Sequence, residues 1–236
     1  MNLPILSYTF LSAFENCPHK AWHRHVLKDL PFQSTPELEY GRDVHDALEH
    51  RLTRGTAIEP ELAAKTRHYC DLIERVQGSD APVRIEHFVG IMQDGFPCAW
   101  DHSGCWFRGK ADVAIIGKTG WLIDWKTGKK REDPFELECQ AMLLAAHYPG
   151  VVKWEGEYFW LKEEHPYGLR HTLDPMRTLQ RVKALYTEVV KYAQAQQEWP
   201  KRKNPLCGWC DVISCENNKK RNGDSDGTNI RPQQRR

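Results

Sequence analysis

The sequence has almost no net charge and no long apolar run. Its 33 basic and 32 acidic side chains leave a formal charge of +1. Gross basicity therefore does not mark a nucleic-acid binder, although a local basic groove is compatible with a neutral total. No stretch of about 18 apolar residues occurs, so a hydrophobic membrane span is not expected. Met1 to Phe14 carries no basic n-region, and Glu15 arrives before an apolar run can build, which argues against a secretory leader. Nothing repeats at a period of roughly 20 to 50 residues, which argues against a solenoid. The expected setting is cytoplasmic and reducing, in a cellular or a viral source, with no membrane partner. There the eight cysteines are expected to be core residues or metal ligands rather than disulfides.

What is present reads as one globular domain over residues 1–216, followed by a polar, apolar-poor tail over 217–236 expected to be disordered. Thr9 is placed to cap a short helix through Phe14, and Pro18 opens a second through Val26. From Glu37 to Arg54, apolar residues recur at three- and four-residue steps, and Gly55 ends the pattern. Pro60 to Gln77 reads as one further helix. Alternation then takes over: Val83, Ile85, His87, Val89 and Ile91 fit a strand, as do Phe107–Ile116 and Trp121–Lys126 around the turn signal 117–120. Pro134 opens a helix to His147, Val151–Leu161 is another strand, and Pro175–Gln197 a long amphipathic helix. The central order is αβββαβ, an α/β class.

Asp124 and Lys126 stand two apart, so on a strand they share a face. Asp112 lies on the preceding strand of the same hairpin, and register decides whether it joins them. A two- or four-residue loop turns Asp124 away from Asp112; an odd loop such as 117–119 sets the two directly opposite. The odd register, or an equivalent bulge, is predicted. Trp121, Leu122, Ile123 and Trp125 flank Asp124, so the strand is expected to be buried, and a buried charge needs a partner. Two carboxylates in contact call for a cation, and Mg²⁺ or Mn²⁺ favours such oxygens. The alternative is a surface hairpin with solvent-facing charges.

These residues bring the chain to a recognisable pattern. It resembles the PD-(D/E)XK nuclease superfamily, and within it the RecB-nuclease-like branch of iron–sulfur exonucleases associated with CRISPR systems and recombination helicases. The parts stand in family order: Cys17-Pro18, Gly41 and His45 on a helix, Gly-Lys-Ala-Asp ending at Asp112, Asp124-Trp-Lys126-Thr-Gly, Gln140, and a terminal cysteine group. The resemblance implies a restriction-endonuclease-like αβββαβ core with added N-terminal helices and a C-terminal cysteine region. It implies that His45, Asp112, Asp124 and the carbonyl of Trp125 hold Mg²⁺ or Mn²⁺. Lys126 would serve the attacking water, and Gln140 would orient the lysine or the nucleic-acid backbone. Leu144 stands where the family commonly has a tyrosine, with Tyr148 one turn on. Read from the residues alone, a lone helix histidine such as His45 is more often a core-edge residue bonded to a carbonyl, and Gln140 is as readily an ordinary polar helix residue as a member of the site. Gly41 costs about 1 kcal/mol of helix propensity, which makes sense if something approaches the backbone there. Glu86 is a further carboxylate whose face the sequence does not fix.

Cys207, Cys210 and Cys215 crowd into nine residues, a spacing that suits thiolate ligation of a metal. The resemblance supplies Cys17 as the fourth ligand of a [4Fe–4S] cluster stapling the two ends of the chain; structural Zn²⁺ is the competing occupant. Cys70 and Cys139 read as core, and Cys98 and Cys105 flank a turn. Lys110, Lys129, Lys130 and Arg131 could line a groove for a phosphate backbone, as could Lys201–Lys203. Trp121 and Trp125 could stack on bases. The expected activity is metal-dependent DNA hydrolysis, as an exonuclease on single strands or free ends, in repair, recombination or CRISPR-type processing beside a helicase or CRISPR-type protein. The alternative is a catalytically inactive, metal-stapled nucleic-acid-binding protein of the same fold.

Overall fold

Helix signals at the two ends of the chain and strand signals in its middle build two compact units. The computed structural model describes residues 3–30, 34–65, 69–131, 133–195 and 197–218. The expected disordered tail lies outside the described residues from 219 onward, as does the side chain of Cys70. The smaller unit takes Met1–Pro4, Thr9–Phe32 and Tyr192–Arg236; the larger takes Ile5–Tyr8 and Gln33–Lys191.

In the smaller unit, α1 (Tyr8–Asn16) buries Phe10, Leu11 and Phe14 on one stripe. Cys17 then stands extended at the N-cap of α2 (Pro18–Ala21), where the proline occupies the first turn, whose amide needs no partner. A π-helical stretch, Trp22–Leu27, continues it until Lys28 turns left-handed at φ 56°. The edge of Phe14 meets Trp199 at 5.7 Å between ring centroids. A 3₁₀ turn, Pro205–Trp209, is capped by Asn204, whose side chain accepts the Leu206 amide at 2.8 Å.

The larger unit opens with α3 (Pro36–Arg54). Thr35 caps it by accepting the Leu38 amide, acids fill its first turn and Gly55 closes it at φ 69°. The helical pattern expected over 60–77 forms α4 (Pro60–Lys65) and α5 (Tyr69–Gln77), either side of residues 66–68. The strands are β1 (Val83–Ile91), β2 (Pro97–Cys98), β3 (Phe107–Ile116), β4 (Thr119–Lys126), β5 (Lys153–Trp160) and β6 (His171–Leu173). They form one sheet in the order β2-β1-β3-β4-β5-β6.

Neighbours are antiparallel except β4 and β5, whose parallel pairing requires a crossover; α6 (Phe135–His147) supplies it. α7 (Pro175–Gln194) ends three residues short of the expected limit. Val44, Leu48, Leu72, Ile73 and Val76 pack with Val113, Ile123, Trp125, Phe159 and Leu161, so α3 and α5 cover one sheet face. Among the described residues, no helix is long and apolar enough to cross a membrane.

Candidate active site

The hairpin of β3 and β4 sets the site. Ile116 pairs with Gly120 and Val113 with Ile123, so the connecting loop is the three-residue 117–119. The ladder ends at Val113 and Ile123; the same odd register carried one residue further sets Asp112 opposite Asp124, and the Trp125 amide donates to Asp112 Oδ2 at 3.2 Å. On the other side of β3, Ile85 pairs with Val113 and His87 with Ala111, which leaves Glu86 facing Asp112. Glu86 adopts φ 47°, a left-handed excursion inside a strand. Such a conformation is rare for a residue with a side chain and interrupts the pleat. Three carboxylates thus stand abreast on β1, β3 and β4.

Helices on either side supply the remaining groups. From α6, Gln140 donates to Asp124 Oδ1 at 2.9 Å, and Glu136 meets Lys126 Nζ at 2.9 Å. Lys126 also reaches Asp124 Oδ2, at 2.5 Å. From α3, His45 places Nδ1 3.7 Å from Asp112 Oδ1 and 3.8 Å from Glu86 Oε1. Gly41, one turn before His45, explains how α3 comes so near: a Cβ there would stand 3.2 Å from Thr127 Oγ1, just beyond β4. The side of His45 left free packs edge-on to Trp125.

The electrostatics follow from burial. Asp112 and Asp124 are almost wholly shielded from water. Burial, then repulsion from Asp124 and Glu86, pushes the Asp112 carboxyl well above its usual range despite Lys126 and Lys110. Burial also works against the Lys126 ammonium, but Asp124, Glu136 and Asp112 together hold its pKa above the ordinary lysine value. Glu136 is raised, by burial and then by Asp124. For Glu86, burial is outweighed by the pull of the neighbouring His45 and the paired Lys110, so its pKa falls.

One ligand atom from each of His45, Glu86 and Asp112 lies within 4.8 Å of the other two. Glu86 Oε1 is buried with no hydrogen-bond partner. Crowded, desolvated oxygens beside one imidazole are a donor set that fits a divalent cation such as Mn²⁺ or Mg²⁺.

Among the basic candidates, Lys110 is paired with Glu86 and lies 4.0 Å from Asp112. Lys129, Lys130 and Arg131 are exposed after β4. Trp125 is completely buried, and Trp121 lies beneath the guanidinium groups of Arg170 and Arg75, at 3.8 and 5.0 Å. Leu144 is core, and Tyr148 hydrogen-bonds His87 Nε2 at 3.0 Å. Cys139 is buried in α6. Sequence reasoning did not single out Glu136; an acid in a first turn carries no mark beyond helix-dipole preference.

In the smaller unit, hydrogen bonds join the segment around Cys17 to the segment that leads into Cys207. The Arg202 amide donates to Cys17 Sγ at 3.5 Å, and the Asn204 amide to Cys207 Sγ at 3.4 Å. Asn204 also donates to the Asn16 carbonyl at 3.0 Å, and Arg24 bonds Asp211 at 2.8 Å. Asn218, buried, donates to the carbonyls of Cys210 and Val212.

A mixed sheet with one crossover helix thus carries acids and a lysine on the strands of one hairpin. The chain belongs to the PD-(D/E)XK nuclease superfamily, whose family model matches residues 5–215. No curated protein matches. Solved structures do, among them the crystal structure of a protein designated SSO0001. That protein shares 12% identity at a TM-score of 0.46, with 92% of this chain and 88% of that one covered.

Proposed function

We propose that the chain is a metal-dependent deoxyribonuclease of the RecB-like iron–sulfur branch, acting as an exonuclease on single-stranded DNA or DNA ends. The observation that carries this reading is the row Glu86, Asp112 and Asp124, with Lys126 against Asp124. Asp112, Asp124 and the Trp125 carbonyl hold Mg²⁺ or Mn²⁺, with His45 as a further ligand and Glu86 beside them. A bound divalent ion there acidifies water and neutralises charge on the phosphate.

The chain's own residues do the rest. Lys126, kept cationic by its acidic neighbours, orients the attacking water and donates to the developing charge on the phosphoryl oxygens. Gln140 fixes Asp124 through its carboxamide. Glu136 holds Lys126 from the far side. Lys129, Lys130 and Arg131 meet the phosphate backbone from their exposed loop, whereas Lys110 serves the carboxylates.

In the same reading, Cys17, Cys207, Cys210 and Cys215 carry a [4Fe–4S] cluster that closes the smaller unit, within a nuclease domain over residues 1–216. DNA processing beside a helicase or CRISPR-type protein, inside the cell, is the expected setting.

The test is digestion of 5′- or 3′-labelled single-stranded DNA with Mn²⁺ or Mg²⁺ by the wild type, Asp112→Ala and Lys126→Ala. Degradation confined to the wild type, from one end, is expected; equal degradation by all three sinks the mechanism.

A further inference from the structure

A second set of ligand side chains gathers in the smaller unit. His19 and His23 are four residues apart on consecutive helical turns, so their imidazoles share a face. The rings lie 4.6 Å apart between centroids. The backbone amide of His19 donates to the Pro200 carbonyl at 3.0 Å, which brings the preceding segment alongside. Glu198 Oε1 then stands 3.6 Å from His19 Nε2. One ligand atom from each of His19, His23 and Glu198 lies within 4.8 Å of the other two.

The hydrogen bonding around the cluster is incomplete in a telling way. His19 is 1% exposed, yet neither of its ring nitrogens has a hydrogen-bond partner. Nε2 of His23 is likewise buried without one. A buried imidazole left so costs free energy that a ligand would recover. On the opposite side of the His23 ring, Nδ1 meets the two carboxylate oxygens of Asp29 at 3.0 and 2.9 Å. A carboxylate on one imidazole nitrogen fixes the tautomer and turns the other nitrogen to a metal. Glu198 is half exposed, and its second oxygen lies 3.3 Å from Lys201, which is also bonded to Glu216.

We propose that His19, His23 and Glu198 bind a borderline divalent transition ion, zinc before cobalt or nickel. Two imidazoles and one carboxylate match that class, whereas Mg²⁺ and Ca²⁺ select oxygen alone. The ion ties α2 and the π-helical stretch to the segment that leads into the terminal cysteines. The site shares no residue with the carboxylate row or with the cysteine group, and it stands whether or not the chain cleaves DNA.

The experiment uses the full chain, purified anaerobically, with Zn²⁺ as the probe. Zinc is measured by elemental analysis after desalting and by calorimetric titration, in an Asp112→Asn background that weakens binding at the carboxylate row. Asp29→Ala and Glu198→Gln alter half-exposed side chains, so folding survives; His25→Gln is the control. Expected are one retained zinc, a melting temperature that rises with added zinc, and an affinity about 10- to 100-fold lower in Asp29→Ala. Glu198→Gln should weaken binding too, and His25→Gln should leave it unchanged. Zinc binding equal in all variants overturns the site. So does zinc that disappears entirely in Cys207→Ser, which would place the ion on the thiolates.

Discussion

The carboxamide of Gln140 donates to Oδ1 of Asp124 at 2.9 Å, while Lys126 takes Oδ2 at 2.5 Å. A residue of the crossover helix and a residue of the strand thus divide one carboxylate between them. Replacing Gln140 by Ala frees one oxygen to rotate and leaves the lysine in place. The Mn²⁺ concentration giving half-maximal hydrolysis should then rise about 10- to 100-fold, the usual cost of losing a group that orients a ligand. An unchanged Mn²⁺ titration would remove Gln140 from the site.

Lys126→Ala separates stability from chemistry. Hydrolysis at saturating metal should fall about 100- to 1,000-fold, as when a donor to developing charge is lost. The same change leaves Asp124, 2% exposed, as a buried charge without its cation. In EDTA the variant should therefore lose about 3 kcal/mol of stability, with part restored by Mn²⁺. Chemical denaturation with and without metal reads this directly; a metal-independent loss would argue against a cation beside Asp124.

Gly120 begins the buried part of β4 against Trp154 of β5. A Cβ at that position would come within 2.4 Å of the indole ring, itself 2% exposed. Gly120→Ala should cost about 1–3 kcal/mol through overpacking. A lower denaturant midpoint with an unchanged slope is the expected signature.

Glu157 gives a pH dependence remote from the site. Burial pushes its carboxyl above the ordinary range, and the nearby Arg75 only partly offsets this. The ionised form is thus less favoured folded than unfolded. Below the unfolded pKa both states are protonated and Glu157 contributes nothing. As pH rises through the unfolded and then the folded pKa, a destabilising contribution grows in. The melting temperature of Glu157→Gln, relative to wild type, should accordingly climb from acid towards neutral pH. A difference that stays flat, or moves the other way, contradicts the assignment.

The hairpin could be read from the sequence because the period of two in β3 and β4, joined by an odd loop, leaves one way to bring Asp112 opposite Asp124. Glu86 could not. Its face depends on a left-handed φ that no alternation of residue types encodes. Strands β2 and β6 span two and three residues, too short for any period to register. Glu136 was hidden by plausibility, since a first-turn acid needs no further reason. For His19 and His23, the four-residue spacing was visible, but Glu198 arrives only through the backbone bond to Pro200.

The smaller unit is assembled from the first and last parts of the chain, with the sheet unit's residues threaded between them. During synthesis the sheet's strands emerge well before residues 192–215, so the Asp112–Asp124 hairpin can pair while the cysteine group still lacks three of its four members. If those four cysteines hold the inorganic group proposed for them, its delivery is a late event, after the last of them leaves the ribosome. A stalled or proteolytically clipped chain would keep the acidic row yet have no closed terminus.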